Sequence, residues 1–159
     1  MTFWSVNKTL KEIDRLRDRF EGIVLTNGCF DIYHAGHAKT FEWIQDKYPS
    51  YALVVALNSD KSIKALKGKH RPINKLVDRF EVLWSVRGID MFLVFDELTP
   101  LKLIKAVKPD ILVKSRDYKK ADVVGKDFVE SYGGKVVLAP YFKGISTSEI
   151  IKKCRTLPS

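Results

Sequence analysis

Gly22-Ile23-Val24-Leu25-Thr26-Asn27-Gly28-Cys29-Phe30-Asp31-Ile32-Tyr33-His34-Ala35-Gly36-His37 is the stretch whose reading decides the fold. Ile23-Val24-Leu25-Thr26 is a short continuous apolar run that ends at Asn27-Gly28. That is the pattern of a strand buried on both faces and running into a turn. A helix is expected beyond the turn, from about Ala35 to Lys47.

The same alternation repeats outward along the chain. Tyr51 to Leu57, Met91 to Phe95, Asp110 to Val113 and Lys135 to Leu138 read as further buried strands. Between and after them, helices are predicted around Leu76 to Val86, Pro100 to Val107, Asp122 to Tyr132 and Ser146 to Cys154. Strand and helix in turn favour right-handed βαβ units. The fold class is therefore α/β: a single Rossmann-like, doubly wound domain with a five-stranded, mainly parallel sheet and helices on both faces. Upstream, Leu10, Ile13, Leu16 and Phe20 recur at helical spacing among charged residues. Residues 1–21 are thus expected to form an amphipathic helix packed on a domain of residues 22–159.

At 159 residues the chain is long enough for one hydrophobic core and short for two. No apolar run approaches the roughly 20 residues of a membrane span, and Met1 to Phe20 mix charges with Leu and Ile, unlike a secretory leader. A cytoplasmic protein without membrane partners is expected. Cys29 and Cys154 are far apart and match no metal-ligand spacing, which argues against disulfides and zinc sites. Twenty-eight Lys and Arg against 19 Asp and Glu give a net charge of +9, which favours anionic partners. There is no basic stripe interleaved with aromatics, which disfavours nucleic acid.

In doubly wound sheets, ligands bind beyond the carboxyl ends of the strands. The polar residues fall there: Asn27 to His37 after the first strand, Asn58-Ser59-Asp60 after the second, Asp96 to Thr99 after the third, Lys114 to Tyr118 after the fourth, and Gly144 to Ser148 after the fifth. His34 and His37, three apart at a helix start, would project from one face of the first turn, and Gly36 leaves the backbone uncovered. A helix N-terminus with two imidazoles suits a polyphosphate. Spacing alone also allows a metal pair, hydrogen-bonded core histidines or surface residues. Lys64, Lys67 and Arg71 lie in a stretch marked by Gly68 and Pro72, which reads as a mobile loop able to bring cations over phosphates. Ser146 with Glu149 three residues on fits a capping box. Arg79 could face outward or into the site. Cys29 reads most simply as a small buried filler.

Thr26 to Asp31 followed by His34-Ala35-Gly36-His37 resembles the HxGH signature of the cytidylyltransferase-like nucleotidyltransferase superfamily. Asn58-Ser59-Asp60, Leu66-Lys67-Gly68, Arg71-Pro72-Ile73-Asn74, Asp78-Arg79, Asp96 to Pro100, Leu112-Val113-Lys114, Asp117-Tyr118 and Gly144 to Ser148 follow in the order of the heptose 1-phosphate adenylyltransferase branch. The resemblance runs from about Gly22 to Lys153 and makes residues 22–159 a nucleotidyltransferase domain. It implies in-line attack by an acceptor phosphate oxygen on the α-phosphorus of a nucleoside triphosphate, with release of pyrophosphate. His34, His37 and Lys67 would be catalytic. Thr26, Asn27, Gly28, Cys29, Phe30, Gly36, Arg71, Ser146, Thr147 and Ser148 would bind the nucleotide. Asp31, Asn58, Asp60, Lys114, Arg116 and Asp117 would serve the acceptor, Asp31 either near it or in holding the loop geometry. No metal is expected on protein ligands; Mg²⁺ would arrive bound through the triphosphate.

The partners implied are a nucleoside triphosphate and a phosphorylated sugar or alcohol, and relatives suggest a homo-oligomer, dimer or higher. ATP with heptose 1-phosphate, giving ADP-heptose, is the first reading. The alternatives are a cytidylyltransferase using CTP and glycerol 3-phosphate or another small phosphorylated alcohol, and a non-catalytic nucleotide or nucleic-acid binder. Ser115-Arg116 stands where the heptose branch usually has two glycines, so approach of the base or sugar is expected to differ there.

Overall fold

The computed structural model describes residues 6–115, 119–140 and 145–156. In chain order the elements are α1 (Val6–Arg19), β1 (Gly22–Gly28), α2 (Ala35–Lys47), β2 (Tyr51–Asn58), α3 (Asp60–Lys67), α4 (Leu76–Trp84) and β3 (Met91–Phe95). There follow α5 (Leu101–Val107), β4 (Ile111–Ser115), a 3₁₀ turn at Lys120–Asp122, α6 (Lys126–Ser131), β5 (Lys135–Ala139) and α7 (Thr147–Arg155).

The five strands form one sheet in the order β3-β2-β1-β4-β5, and every neighbouring pair is parallel. β1 lies at the centre, in register with β2 from Gly22↔Tyr51 to Gly28↔Leu57 and with β4 from Val24↔Ile111 to Thr26↔Val113. Its neighbours cover both edges and helices cover both faces, which is why the run is apolar without alternation. Ile23 and Leu25 face one core layer with Ala52, Val54 and Leu112, closed by Ile13 and Leu16 of α1, Ile104 and Val107 of α5, and Val129 of α6. Val24 faces the other with Leu53, Val55, Leu57 and Val113, closed by Phe41 and Ile44 of α2 and Leu83 of α4.

α1 is fixed by more than its apolar stripe. The Arg17 guanidinium donates to the carbonyls of Val107 and Lys108 at 3.2 and 2.6 Å and to Asp110 at 3.1 Å. It thereby caps the C-terminal end of α5, where carbonyls lack helical partners. Asp110 in turn accepts from the Ile23 N–H at 2.8 Å, tying this clasp to the start of β1.

Two expectations change. The stretch holding Lys64 and Lys67 is helix α3, and the connecting loop begins only at Gly68. Ser59 sets the helix off: its side chain accepts from the Ser62 N–H, and Ile63 buries completely on the inner side. The helix expected from Asp122 starts at Lys126, because Gly125 takes a left-handed φ of +87° that breaks the path from the 3₁₀ turn.

Candidate active site

The sheet order reverses at β1, whose chain leaves toward β2 while β4 returns on its other side. Such a switch point opens a crevice at the carboxyl ends of the two central strands. Lys114, at the end of β4 and 8% exposed, donates from Nζ to Asn27 Oδ1 at the end of β1, a contact that spans this crevice.

Beside it lies a cavity of about 300 Å³. Asn27, Gly28, Cys29, Asn58, Lys67 and Lys114 line it, together with Leu66, Leu98, Thr99, Pro100, Ser115, Val123 and Val124. Two lysines and two amides thus face apolar walls, a lining suited to an anionic group on a compact polar body. Asn58 is held by its Nδ2 donating to Ser62 Oγ at 3.0 Å, and Ser62 Oγ donates to the Glu97 carbonyl at 2.8 Å. Burial pushes the Cys29 thiol up, with Lys67, Arg79 and Arg71 opposing, so it remains a thiol 3.9 Å from Asn58 Oδ1.

The histidines form a second cluster beyond the same loop. His34 is the N-cap of α2 in extended backbone, and its ring stacks on His37 with centroids 3.8 Å apart. Phe30 meets His37 edge-on at 5.0 Å, and Tyr33 stacks on it at 5.7 Å. The Nδ1 atoms of both imidazoles are buried without a hydrogen-bond partner among the described residues. Burial lowers the His34 pKa, and burial with the neighbouring His34 lowers that of His37 to about 3. Both rings are therefore neutral at physiological pH, which sharpens the idea of charge stabilisation: the protein offers polarised N–H donors at a helix N-terminus rather than standing imidazolium charge. A Cβ at Gly36 would press on the His34 ring at 3.1 Å, so that the ring would have to shift by a few tenths of an ångström, and would make ordinary contact with the Ile145 carbonyl at 3.5 Å.

A third group fixes the loop. Asp31, 1% exposed, accepts from Arg71 Nε at 2.5 Å and from the Ile73 and Asn74 N–H groups at 2.7 and 2.9 Å. Asn74 Nδ2 returns a bond to the Asp31 carbonyl at 2.6 Å. Asp31 therefore holds loop geometry rather than standing free for the acceptor, and Arg71 Nε is taken up in the same clasp. Arg79 completes it: its side chain is wholly buried and donates to the carbonyls of Asn74 and Cys29 at 3.1 and 2.6 Å and to Asp60 at 2.8 Å.

Of the other sequence-derived residues, Thr26 lies buried inside β1 and Phe30 packs beneath His37. Ser146 caps α7 by accepting from the Glu149 N–H at 3.2 Å. Thr147 donates to the Ile32 carbonyl at 3.3 Å, which brings α7 against the histidine loop, while Ser148 is exposed. Arg116, Asp117, Tyr118 and Gly144 lie outside the described residues. Thr99 joins the cavity as one of the residues expected beyond the third strand, whereas Pro100, Val123 and Val124 join it without having been singled out as site residues. Arg79 had a legible signal, since it shares 3–4 spacing with Leu76 and Leu83 on the inner stripe of α4.

A doubly wound domain with paired neutral imidazoles and a lysine-lined cavity at its switch point defines a nucleotide-handling α/β protein. The chain belongs to the cytidylyltransferase-like family of nucleotidyltransferases, whose model matches residues 25–153. It is 49% identical over 133 residues to the bifunctional protein HldE of Coxiella burnetii, covering 84% of this chain and 28% of that protein. To the bifunctional protein HldE of Koribacter versatilis it is 44% identical over 147 residues, covering 92% and 30%. The chain thus spans less than a third of these relatives' length. Among solved structures it resembles the lipopolysaccharide core biosynthesis protein of Thermoplasma volcanium, with TM-score 0.61, 25% identity, and coverage of 78% of this chain and 99% of that one. Among the described residues, no helix is long and apolar enough to cross a membrane.

Proposed function

We propose that the protein transfers a nucleoside monophosphate from a nucleoside triphosphate to a phosphorylated sugar, with ATP and heptose 1-phosphate as the substrates. The observation that carries this reading is the division of the strand ends into two adjoining places, a neutral histidine pair at the N-terminus of α2 and a cavity holding Lys67 and Lys114. One suits a triphosphate and the other a second phosphorylated molecule. The resemblance to the heptose branch and to proteins named HldE supports the choice of substrates.

In this mechanism Lys67 and Lys114 orient the acceptor phosphate so that one of its oxygens attacks the α-phosphorus in line. The bond to pyrophosphate breaks as the new P–O bond forms. His34 and His37 donate N–H groups to oxygens that gain charge, each contribution of this kind being worth about 10²–10³ in turnover. Among the described residues, no three His, Cys, Asp or Glu side chains converge on a metal-sized site. A Mg²⁺ ion would be brought by the triphosphate and would supply neutralisation of charge on the phosphates.

Pyrophosphate release, measured with ATP or CTP against heptose 1-phosphate and glycerol 3-phosphate, tests the reading. Turnover confined to ATP with the sugar phosphate is expected. Turnover confined to CTP with glycerol 3-phosphate overturns the choice of substrates. Salt-sensitive RNA binding without pyrophosphate release from any pair overturns the enzyme.

A further inference from the structure

We propose that Ser62 is a positioning residue: it locks the Asn58 amide with Oδ1 toward the cavity, so that the site selects its acceptor by a hydroxyl group that donates. Which molecule carries that hydroxyl rests on the functional reading above; the lock itself does not.

Asn58 ends β2 and lines the cavity, and Ser62 follows in the first turn of α3. Both are buried, Asn58 at 5% and Ser62 at 1% exposed. Ser62 Oγ donates to the Glu97 carbonyl at 2.8 Å and accepts from Asn58 Nδ2 at 3.0 Å. On the other side of the amide, the Cys29 thiol donates toward Asn58 Oδ1 across 3.9 Å. Every donor in this row faces the same way, from Cys29 to Asn58, from Asn58 to Ser62 and from Ser62 to Glu97. A backbone carbonyl has no proton to return, so Glu97 fixes the direction of the whole row. Turning the amide over would set Oδ1 against a Ser62 oxygen whose only proton is already given to Glu97, or else break that bond. Ser62 is itself held: its N–H donates to Ser59 Oγ at 3.2 Å, and the Ser59 N–H donates to the Phe95 carbonyl at 2.9 Å.

The consequence is chemical selectivity. Lys67 and Lys114 bring ammonium donors to the cavity, and these recognise a phosphate on any acceptor. Asn58 Oδ1 adds an acceptor, and its second lone pair has room for a donor besides the long thiol contact. A buried amide oxygen rewards a hydroxyl and rejects a group of the same size that cannot donate. An amide free to turn would meet either kind of group equally, and Ser62 removes that freedom.

Two measurements on the full chain need no substrate. In the wild type, nuclear Overhauser contacts from the Asn58 Nδ2 protons are expected to the Ser62 β-protons; contacts to the Cys29 β-protons instead overturn the lock. In a Cys154→Ser background, the pH profile of Cys29 alkylation by iodoacetamide reads the other end of the amide. Lys67, Arg79, Arg71 and Asp31 act on this thiol alike in every variant. Ser62→Ala lets the amide present N–H to the sulfur, which favours the thiolate, so the profile is expected to move down by about one pH unit, about ten-fold in rate at neutral pH. Ser62→Thr keeps the hydroxyl and is expected to keep the wild-type profile. A profile unmoved by Ser62→Ala, or moved equally by both variants, overturns the proposal.

Monofluoro analogues of heptose 1-phosphate, with one hydroxyl replaced at a time, test the selectivity in the presence of ATP. For one of them the wild type is expected to lose at least about ten-fold in kcat/KM, and Ser62→Ala to narrow that loss to within about three-fold at an unchanged KM for ATP. Equal losses in both proteins overturn the selectivity. Absence of pyrophosphate release from the parent compound with any triphosphate overturns the functional reading and leaves the lock standing.

Discussion

His37→Gln removes the ring that the fold holds neutral most firmly. In the native protein its pKa is lowered from 6.5 to about 3, through burial and the neighbouring His34. In the unfolded chain it returns to about 6.5. Between those values the unfolded state binds a proton that the native state refuses, so the ring's contribution to stability is full above about pH 6.5 and is lost as the pH falls. At 1.36 kcal/mol per unit, going from pH 7.5 to pH 5 costs about 2 kcal/mol from this ring alone. The variant has no such group. Urea denaturation of both proteins at the two pH values isolates it, because His34 and every carboxylate are common to both. The stability of the wild type relative to the variant is expected to rise by about 2 kcal/mol between pH 5 and pH 7.5. A difference constant to within about 0.5 kcal/mol would refute the neutral buried ring.

Triphosphate binding beside a pair that stays neutral is expected to show no proton uptake by calorimetry near pH 6 in buffers of different ionisation heat; measurable uptake means that the rings bind the triphosphate as imidazolium instead. Asp31→Ala strands the part-buried Arg71 and two backbone N–H groups, and is expected to cost about 3–5 kcal/mol by chemical denaturation. Gly36→Ala places a methyl 3.1 Å from the His34 ring. It should lower kcat by about ten-fold or more with little change in the denaturation midpoint. Ser146→Ala removes the cap of α7 and should cost about 1 kcal/mol, read as faster amide exchange in its first turn.

The order of strands and helices was legible because each strand is short, apolar throughout and followed by turn residues, so length and pattern agreed. α3 escaped because Asn58-Ser59-Asp60 carries two signals at once. The same residues that look like a strand-end site also cap a helix, and Gly68 and Pro72 drew the eye to a loop that begins only after it. The cavity's far wall was illegible for a different reason. Val123 and Val124 lie in the turn between the 3₁₀ segment and α6, where no periodicity marks a face, and only the return of the chain across β4 brings them over the strand ends. Spacing marked the histidine pair but left its role open, a role that only the resemblance assigned, and neither reached its neutrality. That property comes from Phe30 and Tyr33 closing around His37, a packing outcome rather than a local one.

Phe30 links these observations. It is one of two non-glycine residues at positive φ among the described residues, at +47°. A phenylalanine adopts that conformation only when its surroundings fix it. Here the turn leaves Cys29 lining the cavity and drives the Phe30 ring beneath His37, so that one dipeptide separates the lysine-lined place from the histidine pair. The groups that hold this turn are Arg79 on the Cys29 carbonyl and, one residue beyond Phe30, the clasp on Asp31. Both originate from α4 and the segment leading into it. The division of the site into two adjoining places therefore depends on a helix that lines neither of them.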